Sequence, residues 1–146
     1  MKKLLTAVLL ASLAACGGSE APPQPPPAGV AVAGTALLSA TGERNELPGG
    51  GWFTWKFAEK PKLGTMIVKV QVFNAEGKQE TTCALVGESG MPSMPYHDSG
   101  PVKFQLNKKG DYLLPVDVVM PGEWAVVIRV RRNAKELYAG KVLFNI

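Results

Sequence analysis

The sequence predicts an all-β domain with the architecture of an immunoglobulin-like antiparallel β-sandwich of about seven strands. Its apolar residues recur at every second position: Val68, Val70 and Val72 alternate with Lys69 and Gln71, and the same spacing recurs in 102–106, 124–130 and 138–144. Half-buried strands have this period. Glycine-, proline- or asparagine-containing turns separate these segments at short intervals, and no segment shows helical spacing. Many short strands without helices are typical of a sandwich.

Residues 1–15 have the features of a secretory signal peptide. Lys2 and Lys3 precede an apolar run over residues 4–15, which is too short to span a bilayer and ends in small residues. The segment Leu13-Ala14-Ala15-Cys16-Gly17 resembles the lipobox of bacterial lipoprotein signals, which implies cleavage before Cys16 and acylation of its sulfur. We therefore expect a cell-envelope protein that is lipid-anchored to a membrane and faces the periplasm if the cell is Gram-negative. A secreted protein with an incidental Cys16 is the alternative.

Residues 16–29 form a predicted tether between the lipidated cysteine and the domain. The run from 22 to 27 is proline apart from Gln24. Such a segment has nothing to bury, stays extended and works as a semi-rigid spacer. The folded domain is therefore assigned to residues 30–146.

The charge balance gives no sign of a nucleic-acid partner. The chain has 146 residues and a net charge of +4, which falls to about +2 once Lys2 and Lys3 are removed with the signal. No cluster of lysine and arginine forms a basic stripe. We expect no nucleic acid among the partners.

The segment 89–100 carries the most distinctive chemistry of the chain. Met91, Met94 and His97, the only histidine, follow one another at intervals of three residues among glycines and prolines that predict a loop. Thioether and imidazole groups suit cuprous copper and do not suit calcium or magnesium. If each turn reverses the chain, the connections 58–63 and 120–122 fall at the same end of the sandwich, so Met120 can join these ligands, and the turn 108–111 falls at the other end. The alternative is that the methionines pack over the end of the sandwich.

Cys83 has no intramolecular partner if Cys16 is lipidated, so we expect no structural disulfide. It lies in a strand-like apolar run, which favours burial over a role as a metal ligand.

Trp52 and Trp55 are separated by an odd number of positions, so a regular strand cannot direct both side chains inward. One of them is therefore a candidate for contact with an envelope partner.

Several motifs together resemble the YtkA-like domains and the related FixH-like proteins of bacterial envelopes. The residues that carry the resemblance lie between Trp52 and Val130 and include Cys83-Ala84-Leu85-Val86, the Met91-Pro92-Ser93-Met94-Pro95-Tyr96-His97 loop, Gly110-Asp111-Tyr112 and the Met120-Pro121-Gly122-Glu123-Trp124 turn. The resemblance implies an immunoglobulin-like fold, with copper supply to terminal oxidases as the function associated with FixH-like relatives. It makes Met91, Met94 and His97 the candidate Cu(I) ligands. Three departures stand out: a cleaved lipoprotein signal in place of a membrane helix, the lack of a second histidine and the lack of a Cys-x-x-x-Cys pair.

Two functions follow from these observations. The first is a lipid-anchored envelope domain that binds Cu(I) in copper handling or oxidase maturation. The second is an interaction or scaffold lipoprotein without a metal. We do not expect an enzyme, because a triad built from the adjacent His97 and Asp98 with Ser93 or Ser99 on one loop does not hold the required geometry.

Overall fold

The computed structural model describes residues 35–146, which form nine strands in two antiparallel sheets. The strands are β1 (Asn45–Glu46), β2 (Trp52–Phe57), β3 (Gly64–Phe73), β4 (Ala84–Gly90), β5 (Val102–Lys103), β6 (Gln105–Leu106), β7 (Tyr112–Val118), β8 (Glu123–Arg132) and β9 (Lys135–Asn145). The first sheet has the order β1-β2-β3-β7-β6 and the second β5-β4-β8-β9. The predicted immunoglobulin-like antiparallel sandwich is confirmed. The predicted signal peptide, the Cys16 lipidation site and the tether lie outside the described residues.

The count of about seven strands is lower than the nine observed because three strands contain only two residues each. Residues 102–106 are predicted as one strand, and that prediction is wrong. In the structure β5 pairs with β4 and β6 pairs with β7, so the chain crosses from one sheet to the other at Phe104. Phe104 is buried and its N–H bonds to the carbonyl of Leu85, whereas Leu106 is exposed.

The core lies between the sheets and follows the period-two pattern. Val68, Val70 and Val72 of β3 are almost inaccessible, as are Val126 and Ile128 of β8. Removal of these apolar surfaces from water is the main driving force for closing the two sheets on each other.

The strand directions place the loops as the sequence predicts. Register pairs such as Gly64 with Val118 and Gly90 with Ala125 bring the connections 58–63, 91–101 and 119–122 to one end of the sandwich. The pairing of Glu123 with Asn145 brings the end of β9 to the same place. We call this end the methionine end. The connection 107–111 and the hairpin turn at 133–134 lie at the opposite end. The predicted loop begins later than expected, because Ser89 and Gly90 still belong to β4.

Candidate functional site at the methionine end

The loop after β4 is folded into two successive backbone turns. The N–H of Met94 donates to the carbonyl of Met91 at 2.9 Å, and the N–H of His97 donates to the carbonyl of Met94 at 3.0 Å. Gly90 makes this path possible, since a Cβ at that position would lie 2.8 Å from the Cβ of Asp98. The residues of the Met-x-x-Met-x-x-His motif therefore stand at the ends of the two turns, 91–94 and 94–97.

The Met91 side chain points into the core. Its exposure is 7%, and a Cβ added at Gly122 would lie only 2.7 Å from its terminal methyl group. Met91 is thus covered by the 119–122 connection. Met94 and Met120 are partly buried and pack against the same core cluster. Met91, Met94 and Met120 therefore all lie at one end of the sandwich, and none of them is fully exposed.

Met66 is a fourth methionine at this end, and it is not among the candidate ligands predicted from the sequence. It is 1% exposed, and its sulfur accepts the backbone N–H of Lys62 at 3.5 Å. It continues the valine alternation of β3, so the sequence signals only a core position. Apart from Met1, every methionine of the chain lies at the methionine end.

His97 is exposed and lies beside a groove of about 620 Å³. We call this feature the edge groove; its lining includes Tyr96, His97, Asp98, Pro115, Asp117 and Val119, and no methionine. Each of the three methionines thus packs in or against the core, whereas His97 lines a different feature of the same end. Among residues 35–146, no three His, Cys, Asp or Glu side chains come together in a group that could hold a metal.

Cys83 directly precedes β4, at the end opposite the methionines, and is a free, buried thiol. Burial raises the pKa of the Cys83 thiol, and the charge of Glu80 raises it further. Glu80 accepts two hydrogen bonds from the Arg132 guanidinium, at 3.2 and 2.7 Å. The expected burial of Cys83 is confirmed.

The two tryptophans of β2 face opposite sides of their sheet. Trp55 is buried, and its indole N–H donates to the carbonyl of Ser39 at 2.9 Å. Trp52 is half-buried on the outer face, where it stacks on Phe73 with ring centroids 5.5 Å apart. The Arg44 guanidinium lies 4.1 Å from the Trp52 ring centroid. Of the two candidates for partner contact, only Trp52 is on the surface, and intramolecular contacts already engage its ring.

Within the described residues no helix is long and apolar enough to cross a membrane. No family model matches the chain, and no curated protein or solved structure matches it significantly. The fold defines the class as a small immunoglobulin-like β-sandwich domain. The resemblance to the YtkA-like and FixH-like domains stays a prediction from the motifs quoted above.

Proposed function

We propose that this chain is a lipid-anchored binding module of the bacterial cell envelope, which recognises a partner through the methionine end of its sandwich. The observation that carries the proposal is the exposure of large apolar side chains there. Tyr96 is 97% exposed, Val119 72% and Leu63 51%, and each comes from a different connection. Loops held at one end of a rigid β-scaffold are a common place for recognition residues.

The path of the first described residues supports the proposal that the methionine end faces a partner. Leu37 forms a parallel bridge with Lys141, and the N–H of Leu38 donates to the carbonyl of Lys141 at 2.9 Å. Because β9 runs toward the methionine end, the chain enters the domain from the direction of the opposite end. An anchor on the side of the opposite end would leave the methionine end free to meet a partner.

The test is site-specific photocrosslinking of the full chain in its own cell. A benzophenone amino acid replaces Tyr96 or Val119, and a matched control replaces Leu106, an exposed apolar residue at the opposite end. We expect the same crosslinked partner from Tyr96 and Val119 and none from Leu106. Equal crosslinking from all three positions, or none from Tyr96 and Val119, would reject the proposal.

The anchor is tested separately, by partition of the protein between a detergent phase and an aqueous phase. Cys16→Ala is expected to move the protein from the detergent phase to the aqueous phase.

Cu(I) binding in copper handling or oxidase maturation is the second candidate function, and the position of Met91, Met94 and Met120 in connections at one end of the sandwich favours it. Thioethers are soft ligands that suit Cu(I). Titration of the full chain with Cu(I) against a chromogenic chelator, under reducing conditions, tests it. Loss of saturable binding in the Met94→Leu, Met120→Leu double variant, with binding kept in Met66→Leu, would support copper. His97→Ala then shows whether the imidazole takes part. No saturable binding by the unaltered chain would reject this candidate.

A further inference from the structure

One long strand of the first sheet has an open edge. On one side β7 pairs with β3 over Tyr112 to Val118. On the other side β6 pairs only with Tyr112 and Leu113. Within residues 35–146, positions 114–118 therefore have a strand neighbour on one side alone, and the edge groove lies along the open side.

Pro115 indicates which backbone groups face this opening. Proline has no N–H to donate, and within sheets it is found where its nitrogen faces an edge. Backbone groups of an antiparallel strand alternate between its two sides. The N–H and carbonyl of Asp117 then point to the same open side as Pro115, whereas the N–H groups of Val116 and Val118 face β3. The edge offers hydrogen-bonding groups that no strand of residues 35–146 covers.

The edge groove is acidic although the chain as a whole has a net charge of +4. Among the described residues, its lining contains Asp98 and Asp117 but neither lysine nor arginine. Neither carboxylate forms an ion pair with another described residue. One oxygen of Asp98 is shielded from solvent and has no hydrogen-bond partner in the described part of the chain. The exposed apolar surfaces of Tyr96 and Val119 border these charges.

We infer that the edge groove binds an extended peptide segment of a partner, by addition of a strand to β7, and selects a segment with a basic side chain. Strand addition uses main-chain hydrogen bonds for affinity and alternate side chains for specificity. The exposed carboxylate of Asp117, which forms no ion pair with a described residue, supplies the preference for lysine or arginine, and the nearby negative charge of Asp98 adds to it at longer range. Tyr96 and Val119 supply apolar contact. This inference rests on the proposed function, because it names the kind of partner that the methionine end would recognise.

The test uses two fluorescein-labelled nine-residue peptides that alternate valine and threonine, one with a central lysine and one with a central glutamate. Their binding to the full chain in detergent is measured by fluorescence anisotropy. We expect the lysine peptide to bind about tenfold more tightly than the glutamate peptide. Asp117→Asn keeps the oxygen that accepts the Thr65 hydroxyl at 2.6 Å, and it is expected to remove most of the preference. The control Glu46→Gln removes an equal charge from an exposed position outside the groove and is expected to leave the preference unchanged.

Amide hydrogen exchange distinguishes strand addition from simple charge attraction. We expect the Asp117 amide to become protected when the lysine peptide binds, while the Val116 and Val118 amides do not change. Binding without protection at Asp117 would overturn the inference, as would equal affinity for the two peptides. Protection at Asp117 without peptide, together with the mass of a dimer, would also overturn it, by showing that a second copy occupies the edge.

The outcomes separate this inference from the proposed function. Crosslinking from Tyr96 without binding of the lysine peptide would overturn the inference and leave the binding module standing. If the lysine peptide binds in an Asp117-dependent way but no partner is crosslinked in the cell, peptide binding by the edge groove is supported. The proposed role of the methionine end in the cell is then rejected.

Discussion

The hydroxyl of Tyr112 donates a hydrogen bond to the backbone carbonyl of Cys83 at 2.7 Å. Tyr112 begins β7 of the first sheet, and Cys83 directly precedes β4 of the second. Both residues are buried. The bond therefore joins the two sheets inside the core, at the end opposite the methionine end.

Removal of this bond should destabilise the domain. Tyr112→Phe leaves the Cys83 carbonyl buried without its partner, which costs about 1–2 kcal/mol of unfolding free energy. The measurement is urea denaturation followed by tryptophan fluorescence. Tyr96→Phe is the matched control, because the Tyr96 side chain is exposed, and it is expected to leave the midpoint unchanged. Equal midpoints for Tyr112→Phe and the unaltered chain would contradict the role given to this bond.

The same tyrosine makes stability depend on alkaline pH. Burial, together with the charges of Cys83 and Glu80, raises the pKa of Tyr112 to about 12 from a usual value of 10.0. Because the folded pKa is the higher one, the contribution of Tyr112 is complete below pH 10 and is lost as the pH rises toward 12. The stability difference between the unaltered chain and Tyr112→Phe is therefore expected to shrink over this interval in urea titrations. A stability difference between the two proteins that stays constant from pH 9 to pH 12 would contradict the raised pKa of Tyr112.

The fold was predictable where a strand has one face exposed to solvent and the other buried in the core. Lys69 and Gln71 between the valines of β3 show this alternation in the sequence itself. The crossing between the sheets at Phe104 was not predictable, because residues 102–106 alternate as one continuous strand would. The segment is divided only because β5 pairs with β4 and β6 pairs with β7. The edge groove depends on that division, since a longer β6 would cover the open edge of β7. Spacing also could not show that Met91 turns inward beneath Gly122 while His97 remains exposed.

Cys83 should be protected from modification in the folded domain. Burial raises the pKa of its thiol, so little thiolate is present near neutral pH. In Cys16→Ala, where Cys83 is the one remaining thiol of the chain, we expect reaction with a disulfide reagent at pH 8 only after unfolding in urea. Addition of Ser93→Cys gives an exposed comparison thiol, which should react at once. Rapid reaction of Cys83 in the folded protein would contradict its protection.

The turn between β8 and β9 is strained at Ala134. Asn133 and Ala134 have φ values of 51° and 62°, as expected for a two-residue turn between antiparallel strands. Asparagine tolerates this conformation, whereas alanine is unfavourable there. Ala134→Gly is expected to raise the unfolding free energy by about 0.5–1 kcal/mol. Ala139→Gly, inside β9, should lower it and serves as the control; equal effects at the two positions would show that the turn is not strained.

The contact between Gly122 and Met91 should make alanine costly at position 122. A Cβ there would lie 2.7 Å from the methyl group of Met91, and the φ of 136° is itself unusual for other residues. Gly122→Ala must displace a side chain of the core, at a cost of about 1–3 kcal/mol of unfolding free energy. Gly100→Ala is a control for positive φ without a steric contact, because its φ is 62° and no atom lies within 4 Å of the new Cβ. A φ of 62° is less strained for alanine than one of 136°, so the difference between the two costs is an upper limit for the steric part.

A double-mutant cycle with Met91→Ala isolates the steric part of the Gly122→Ala effect. Because Met91→Ala removes the obstructing methyl group, the two changes together should cost about 1 kcal/mol less than the sum of their separate costs. Additive costs, or a Gly122→Ala cost no larger than that of Gly100→Ala, would show that the 119–122 connection does not pack on Met91. The cycle therefore tests the inward position of the Met91 side chain beneath the 119–122 connection.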